Sequence, residues 1–210
     1  MDIETFLDKL GSGTPVPGGG SASAIVGSIS SALSKMVANL TLGRKKYADQ
    51  KEFMEKAVEE LSKIQEKFLS LSREDEEAFN EISATWKLPK NTEEERHVRA
   101  DKMKSATLKA LEPPWKMAST AISVLELAGE LVERGNKNAV SDAACSAEFA
   151  MATFRSASYN ILINLRSLDE PDVVENEIAK LNIMEGEAQR LYLKAVGPFK
   201  EKFKDALMKK

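Results

Sequence analysis

One carboxylate stands out by the register it occupies. Met54, Ala57, Leu61, Ile64, Phe68, Leu71, Asp75, Ala78 and Ile82 follow one another at spacings of three and four without a break, the pattern of a helix seam that faces other helices. Every member is apolar except Asp75. Burial in such a seam strips an ionised carboxylate of hydration and raises its pKa, which is how a protein obtains a carboxyl acid or base useful near neutral pH. The same placement suits an aspartate that bonds or caps a neighbouring helix. The seam alone therefore leaves two roles open for Asp75, a general acid/base and a buried structural group.

Few other residues could carry such chemistry. The 210 residues include one Cys, Cys145, and one His, His97. No disulfide can close within the chain, and a Cys/His zinc site or a two-His metal site is impossible within one subunit, so no metal is expected. His97 lies in the run Glu93, Glu94, Glu95, Arg96, His97, Val98, Arg99, which reads as a solvated helix. Cys145, between Ala144 and Ser146 on an Ala-rich helix, reads as a small packing residue.

Three polar or glycine-rich clusters could hold a ligand. Residues 11–20 read Gly-Ser-Gly-Thr-Pro-Val-Pro-Gly-Gly-Gly. Gly13 and Gly18 have the separation of a Walker loop, but Gly19 and Gly20 stand where Lys and Ser/Thr would be needed, and no strand precedes the loop as a dinucleotide fingerprint requires. What remains is a helix entry at Gly18, Gly19 and Gly20 with uncovered backbone N–H groups, suited to an anion or a polar ring, or simply to a tight turn. The second cluster is the turn Gly135, Asn136, Lys137, Asn138, Ala139, Val140, Ser141, Asp142, in which Asn138 or Ser141 is the expected N-cap. The third is Asn160 and Asn164, one helical turn apart, amides that either satisfy structure or read a hydrogen-bonding heterocycle.

The elements that must position these groups are helical throughout. A short amphipathic helix covers residues 3–10, and a small-residue helix runs over about 21–42 to Gly43. A long helix spans about 49–87, ending before Pro89. Thr92 and Glu95 form a capping box for the next, which Pro113 and Pro114 kink or divide before it runs on to 134. A helix follows from about 138 to 168, and Pro171 starts the last. The expected fold is an all-α, single-domain bundle of about six helices over residues 1–210. Gly20, Ala24, Ser28 and Ala32 at steps of four, and Ala143, Ala147, Ala150, Phe154, Ala157 and Ile161, demand close helix-on-helix approach, in a tight core or a homo-oligomer.

Composition closes off other classes. Hydrophobic residues are 42%, charged residues 30% and aromatics 6%, with a net charge of −3. Those values argue against a disordered chain, an all-β sandwich and a nucleic-acid binder. No signal sequence opens the chain, and the stretch 21–43, with one charge at Lys35, is rich in Ser, Ala and Gly and too weakly apolar for a membrane span. A cytoplasmic protein is expected, with no membrane and no nucleic acid among its partners. The Lys-rich stretch 200–210 reads as a charged helix end rather than a site for an acidic partner.

Six stretches, taken in order, resemble the formiminotetrahydrofolate cyclodeaminase family. They are Pro-Val-Pro-Gly-Gly-Gly-Ser at 15–21, Met-Val-Ala-Asn-Leu-Thr-Leu-Gly-Arg at 36–44, Asp-Glu-Glu-Ala-Phe at 75–79 and Leu-Pro-Lys-Asn-Thr at 88–92. The last two are Gly-Asn-Lys-Asn-Ala-Val-Ser-Asp at 135–142 and Asn-Ile-Leu-Ile-Asn-Leu at 160–165. This family includes the cyclodeaminase domain of bifunctional formiminotransferase-cyclodeaminase and stand-alone methenyltetrahydrofolate cyclohydrolases. The resemblance implies an all-α homodimer that binds a folate, polyglutamylated or not, with no cofactor. It implies Asp75 as the catalytic aspartate, with Gly18, Gly19, Gly20, Arg44, Lys90, Asn136, Asn138, Ser141 and Asp142 around the pocket. Arg44 and Lys90 would meet the glutamate tail. The implied reaction converts 5-formiminotetrahydrofolate to 5,10-methenyltetrahydrofolate and ammonia, or, alternatively, hydrolyses the methenyl compound to 10-formyltetrahydrofolate. A non-catalytic helical module is the competing class. At this length the chain is expected to carry no transferase domain beside the cyclodeaminase-like one.

Overall fold

The structure, a computed structural model, describes residues 2–208, with side chains through residue 200. The side chains of most of the Lys-rich stretch at 200–210 therefore lie outside the described residues. The order along the chain is α1 (Ile3–Gly11), α2 (Gly19–Leu42), a 3₁₀ turn (Lys45–Gln50), α3 (Lys51–Trp86), α4 (Glu93–Ala110) and α5 (Glu112–Arg134). A second 3₁₀ turn (Lys137–Ala139), α6 (Val140–Leu165) and α7 (Pro171–Met208) complete it. Six long helices make the bundle and a short one precedes them, with no strand among the described residues.

Helix starts and stops follow local chemistry. Thr92 Oγ1 accepts from the Glu95 N–H at 3.1 Å, while the Glu95 carboxylate accepts from Thr92 N–H at 3.1 Å, closing the expected capping box at the head of α4. Pro113 and Pro114 divide α4 from α5 at Leu111. Pro114 has no N–H to offer the Ala110 carbonyl four residues back, and Asn164 of α6 supplies the missing donor at 2.9 Å. The N-cap of α6 departs from expectation: it is Ala139, with no side-chain bond, because the preceding 3₁₀ turn is capped by Asn136 instead.

α2 packs against α3, α5 and α6. By length and composition it would suffice to cross a membrane, with mean hydropathy 1.3 over its best window. Its serines show what it does instead. Ser30 Oγ donates to the Ser146 carbonyl at 2.7 Å and Ser146 Oγ donates back to the Ser30 carbonyl at 2.8 Å, with Ser34 joined to Ser146 at 2.7 Å. Small residues let the two backbones approach, and reciprocal hydroxyl bonds satisfy the polar groups thereby buried. Lys35, the one charge of α2, donates to Gln65 Oε1 at 2.7 Å.

The seam of α3 is buried from Met54 through Leu71 and divides two apolar clusters between its ends. Ala143, Ala147, Ala150, Phe154, Ala157 and Ile161 of α6 are all buried, as their spacing demands. Cys145 is the exception to the packing expectation. It is exposed, because the 100° step per residue turns it to the outer side of α6 with Phe149 and Ala152, not toward the Ala stripe.

At Gly27 a Cβ would lie 2.6 Å from the Phe68 ring, so α2 and α3 meet there at a distance only glycine permits. Gly27→Ala is expected to lower the unfolding free energy by about 1–3 kcal/mol in a urea titration. Gly186→Ala, inside α7 with open space around it, should raise it by about 0.5–1 kcal/mol.

Candidate functional site

α2 begins without a capping side chain, since its N-cap is Gly18. The cap comes from another helix. Asp75 Oδ2 of α3 accepts from Ser21 Oγ at 3.2 Å, and the carboxylate lies against the backbone of the first turn of α2 at Gly20. A Cβ at Gly20 would overlap the Asp75 carboxylate, so the glycine run is required by this approach. Both open roles of Asp75 thus meet in one place, since it caps α2 and also faces a cavity.

That cavity measures about 350 Å³, within the range of small-molecule sites. One side is the α2 entry, with Pro15, Val16, Gly18, Gly19 and Gly20. The second is the end of α3, with Asp75, Ala78, Phe79, Ile82 and Trp86. The third is α4, with Met103, Thr107 and Ala110, and the fourth is α6, with Asn160, Ile163, Asn164 and nearby Ser167. The α3 seam therefore passes from core to cavity wall at Asp75. Phe79 and Trp86 stand edge to face with ring centroids 5.9 Å apart, and Trp86 is half exposed. Burial pushes the Asp75 carboxyl above the ordinary carboxylate range. The interaction with Ser21 opposes the rise without cancelling it, and the neighbouring Glu76 charge adds to it.

Asp75, Gly18, Gly19 and Gly20 are thus brought together as expected. Lys90 is exposed in the turn beyond Trp86, outside the cavity wall, where its carbonyl accepts from Arg96. Arg44, Asn136, Asn138, Ser141 and Asp142 lie at the opposite end of the subunit. Asp142 is about 27 Å along α6 from Asn160 at 1.5 Å per residue. Asn136 is buried and its groups are spent. Its N–H donates to Thr41 Oγ1 at 2.9 Å, its Nδ2 to the Leu40 carbonyl at 3.2 Å, and its Oδ1 accepts from Asn138 N–H at 3.1 Å. It is a clasp between α2 and the α5–α6 turn, not a free ligand-binding amide. His97 is exposed, as its charged surroundings imply.

The α4 wall and Trp86 escaped sequence reasoning. Met103, Thr107 and Ala110 keep spacings of four and three on an otherwise polar helix, and that stripe was the available signal. Among the described residues, no cluster of three His, Cys, Asp or Glu could hold a metal ion.

Comparison with known proteins gives this arrangement a lineage. The model of the family described as formiminotransferase-cyclodeaminase matches residues 2–182. The chain belongs to this family. Among formiminotransferase-cyclodeaminase relatives, a methenyltetrahydrofolate cyclohydrolase of Methylorubrum extorquens is 37% identical over 189 residues, 90% of this chain and 91% of that protein. The rat formimidoyltransferase-cyclodeaminase is 30% identical over 168 residues, covering 80% of this chain and 31% of the rat protein. The crystal structure of formiminotetrahydrofolate cyclodeaminase from Thermotoga maritima superposes with a TM-score of 0.85 at 27% identity, over 94% of each chain.

A raised carboxyl pKa has a stability consequence of definite sign. The folded state holds the Asp75 proton more tightly than the unfolded chain does, so the contribution is favourable at low pH and is lost as pH rises through the folded-state pKa. Asp75→Asn, which keeps an acceptor for Ser21, should melt higher than the wild type at pH 7–8. That advantage should disappear below about pH 4, near the unfolded carboxyl's pKa, in thermal melts followed by circular dichroism.

Proposed function

We propose that this enzyme acts on tetrahydrofolate at the one-carbon unit joining N5 and N10. The observation that carries the proposal is Asp75, a carboxyl held above its usual pKa in the wall of an apolar cavity. The names of the relatives supply the substrate class. In the cyclodeaminase direction, N10 attacks the protonated 5-formimino carbon, giving a tetrahedral carbon bonded to N5, N10 and NH₂. Proton transfer from N10 to that NH₂, relayed through Asp75, then lets ammonia leave, and the N5=C–N10 methenyl cation remains. No redox step occurs and no cofactor is called for. Trp86 and Phe79 offer flat apolar surface to the substrate's planar rings.

The 37% identical cyclohydrolase favours a second direction through the same pocket. There water adds to the methenyl carbon, passing one proton to Asp75 and leaving a hydroxyl on that carbon. N5 then takes the proton from Asp75 as the C–N5 bond breaks, and the hydroxyl releases its own proton to solvent to become the formyl C=O on N10. In both directions Asp75 accepts a proton and then donates it, so the pH dependence reports which of the two transfers limits the rate. A step limited by the acid form slows as pH rises through its pKa, whereas one limited by the base form accelerates.

The working unit is proposed to be a homodimer. α2 turns Val26, Ile29, Leu33, Met36 and Leu40 outward, and α6 turns Cys145, Phe149, Ala152, Tyr159 and Ile163 outward, two adjoining stripes without a charge. Ile29, Met36, Leu40, Phe149, Tyr159 and Ile163 are each 40–69% exposed, which makes an apolar face of the kind a second copy covers. Ile163 belongs to both this face and the cavity. α2 and α6 run antiparallel, as the Ser23–Thr153 and Leu40–Asn136 bonds record. A two-fold axis across them would carry the partner's far end to this cavity, with its counterparts of Arg44, Asn138, Ser141 and Asp142.

Purified protein supplied with 5-formiminotetrahydrofolate and, separately, with 5,10-methenyltetrahydrofolate should form or consume the methenyl chromophore. Asp75→Asn should reduce that rate by about 10²–10⁴-fold while the protein stays folded. A wild type inert toward both substrates would overturn the proposal. For the shared site, Asp75→Asn and Asp142→Ala subunits, each inactive alone, should regain roughly a quarter of wild-type activity after mixing and random exchange into dimers. No recovery despite exchange would place each site within one subunit.

A further inference from the structure

Asn160 and Asn164 lie one turn apart on the α6 wall, and each amide has a fixed orientation. Asn160 Nδ2 donates to the Ser156 carbonyl at 2.8 Å, and Asn164 Nδ2 donates to the Ala110 carbonyl at 2.9 Å. Carbonyl oxygens only accept, so neither amide can flip without setting oxygen against oxygen. The Ala110 carbonyl is available because Pro114 lacks the N–H that would normally occupy it. One N–H of each amide is thereby engaged, and among the described residues no protein group bonds either Oδ1, so both amides on the cavity wall keep a free acceptor. Asn160 Oδ1 lies at the α2 entry, 3.9 Å from where a Cβ on Gly19 would be. Asn164 lies one turn further from it.

The rest of the lining sharpens what these oxygens can recognise. The cavity wall contains no Lys or Arg among the described residues, so it does not select an anionic ring. Its charged member is the Asp75 carboxyl, an acceptor when ionised. Phe79, Ile82, Trp86 and Ile163 supply apolar surface. Acceptors at one side and flat apolar contacts at the others suit a planar heterocycle that presents N–H donors on one edge. A reduced pterin has such an edge, its 2-amino group and ring N–H groups.

We infer that Asn160 and Asn164 are specificity-determining residues whose side-chain oxygens read the 2-amino group and a ring N–H of the pterin. The inference rests on the folate reading above. It makes the Pro-Pro break part of substrate recognition, because the Ala110 carbonyl left free by Pro114 holds the Asn164 nitrogen and so fixes which amide atom is left as an acceptor. A site built to bond a donor rejects the analogue that lacks it, since the acceptor is then left unpaired in a desolvated place.

The test compares tetrahydrofolate with its 2-desamino analogue by isothermal calorimetry on wild type, Asn160→Ala and Asn164→Ala. Wild type should prefer tetrahydrofolate by at least about tenfold, and the preference should fall to within about twofold in at least one variant. The Asn160 bond to Ser156 lies within its own helix, so that variant should keep the fold. Asn164→Ala, which loses a tie between α6 and α4, is accompanied by a thermal melt. A wild type that binds both ligands equally, or a preference kept in both variants, would overturn the inference while leaving the folate reading intact. A wild type that binds neither overturns the folate reading and this inference with it.

Discussion

The contact between the Asp75 carboxylate and the first turn of α2 is the constraint around which the site is arranged. A helix N-terminus exposes N–H groups and partial positive charge, and α2 opens on glycine with no side chain to meet them. Asp75 meets this turn from α3, accepting from Ser21 Oγ with its carboxylate against Gly20. For the carboxylate to fit, position 20 must be glycine. For it to arrive at the right height, α2 and α3 must keep the antiparallel register that the Gly27–Phe68 contact also enforces. Capping lowers the carboxyl pKa and burial raises it, and burial prevails. A helix-capping aspartate with a raised pKa is thus a direct product of the packing, and structural and chemical roles need not exclude each other.

Around that contact the bundle solves a second problem, how to bring four chain segments to one cavity with few polar groups. α2 and α6 are drawn together by small residues and by the reciprocal Ser30–Ser146 bonds. That closeness sets the α2 entry beside Asn160. α4 joins from the other side with only Ala106, Thr107 and Ala110 buried, and the Asn164 bond ties it to α6. The α3 seam is continuous in register but not in environment. It is core up to Leu71 and cavity wall from Asp75 onward, so the first polar member falls where helix packing ends.

Much of this was legible beforehand because it is local. A period of 3.6 residues marks the seam and sets Asp75 on it, proline and capping chemistry mark the breaks, and alanines at steps of three and four mark the buried face of α6. The misjudged positions fail for equally local reasons. The Ala-rich composition around Cys145 implies packing, but its angle on the helix turns it outward. Asn138 and Ser141 were candidate caps, but a 3₁₀ turn inserted before α6 moved the capping role to Asn136. Met103, Thr107 and Ala110 were overlooked because a helix as polar as α4 gives a weak periodic signal.

The helices, their faces, the glycines at the α2 entry and the one carboxylate on an apolar seam are all written in local pattern. These follow from interactions within a few residues, which periodicity records directly. Only the tertiary structure decided which faces meet. It set Trp86, the α4 stripe and the two asparagines around Asp75. It carried Arg44, Asn136, Asn138, Ser141 and Asp142 about 27 Å or more away along rigid helices. Motifs adjacent in a family resemblance can lie at opposite ends of a bundle, because a helix keeps neighbours in sequence on one axis while antiparallel packing chooses neighbours in space.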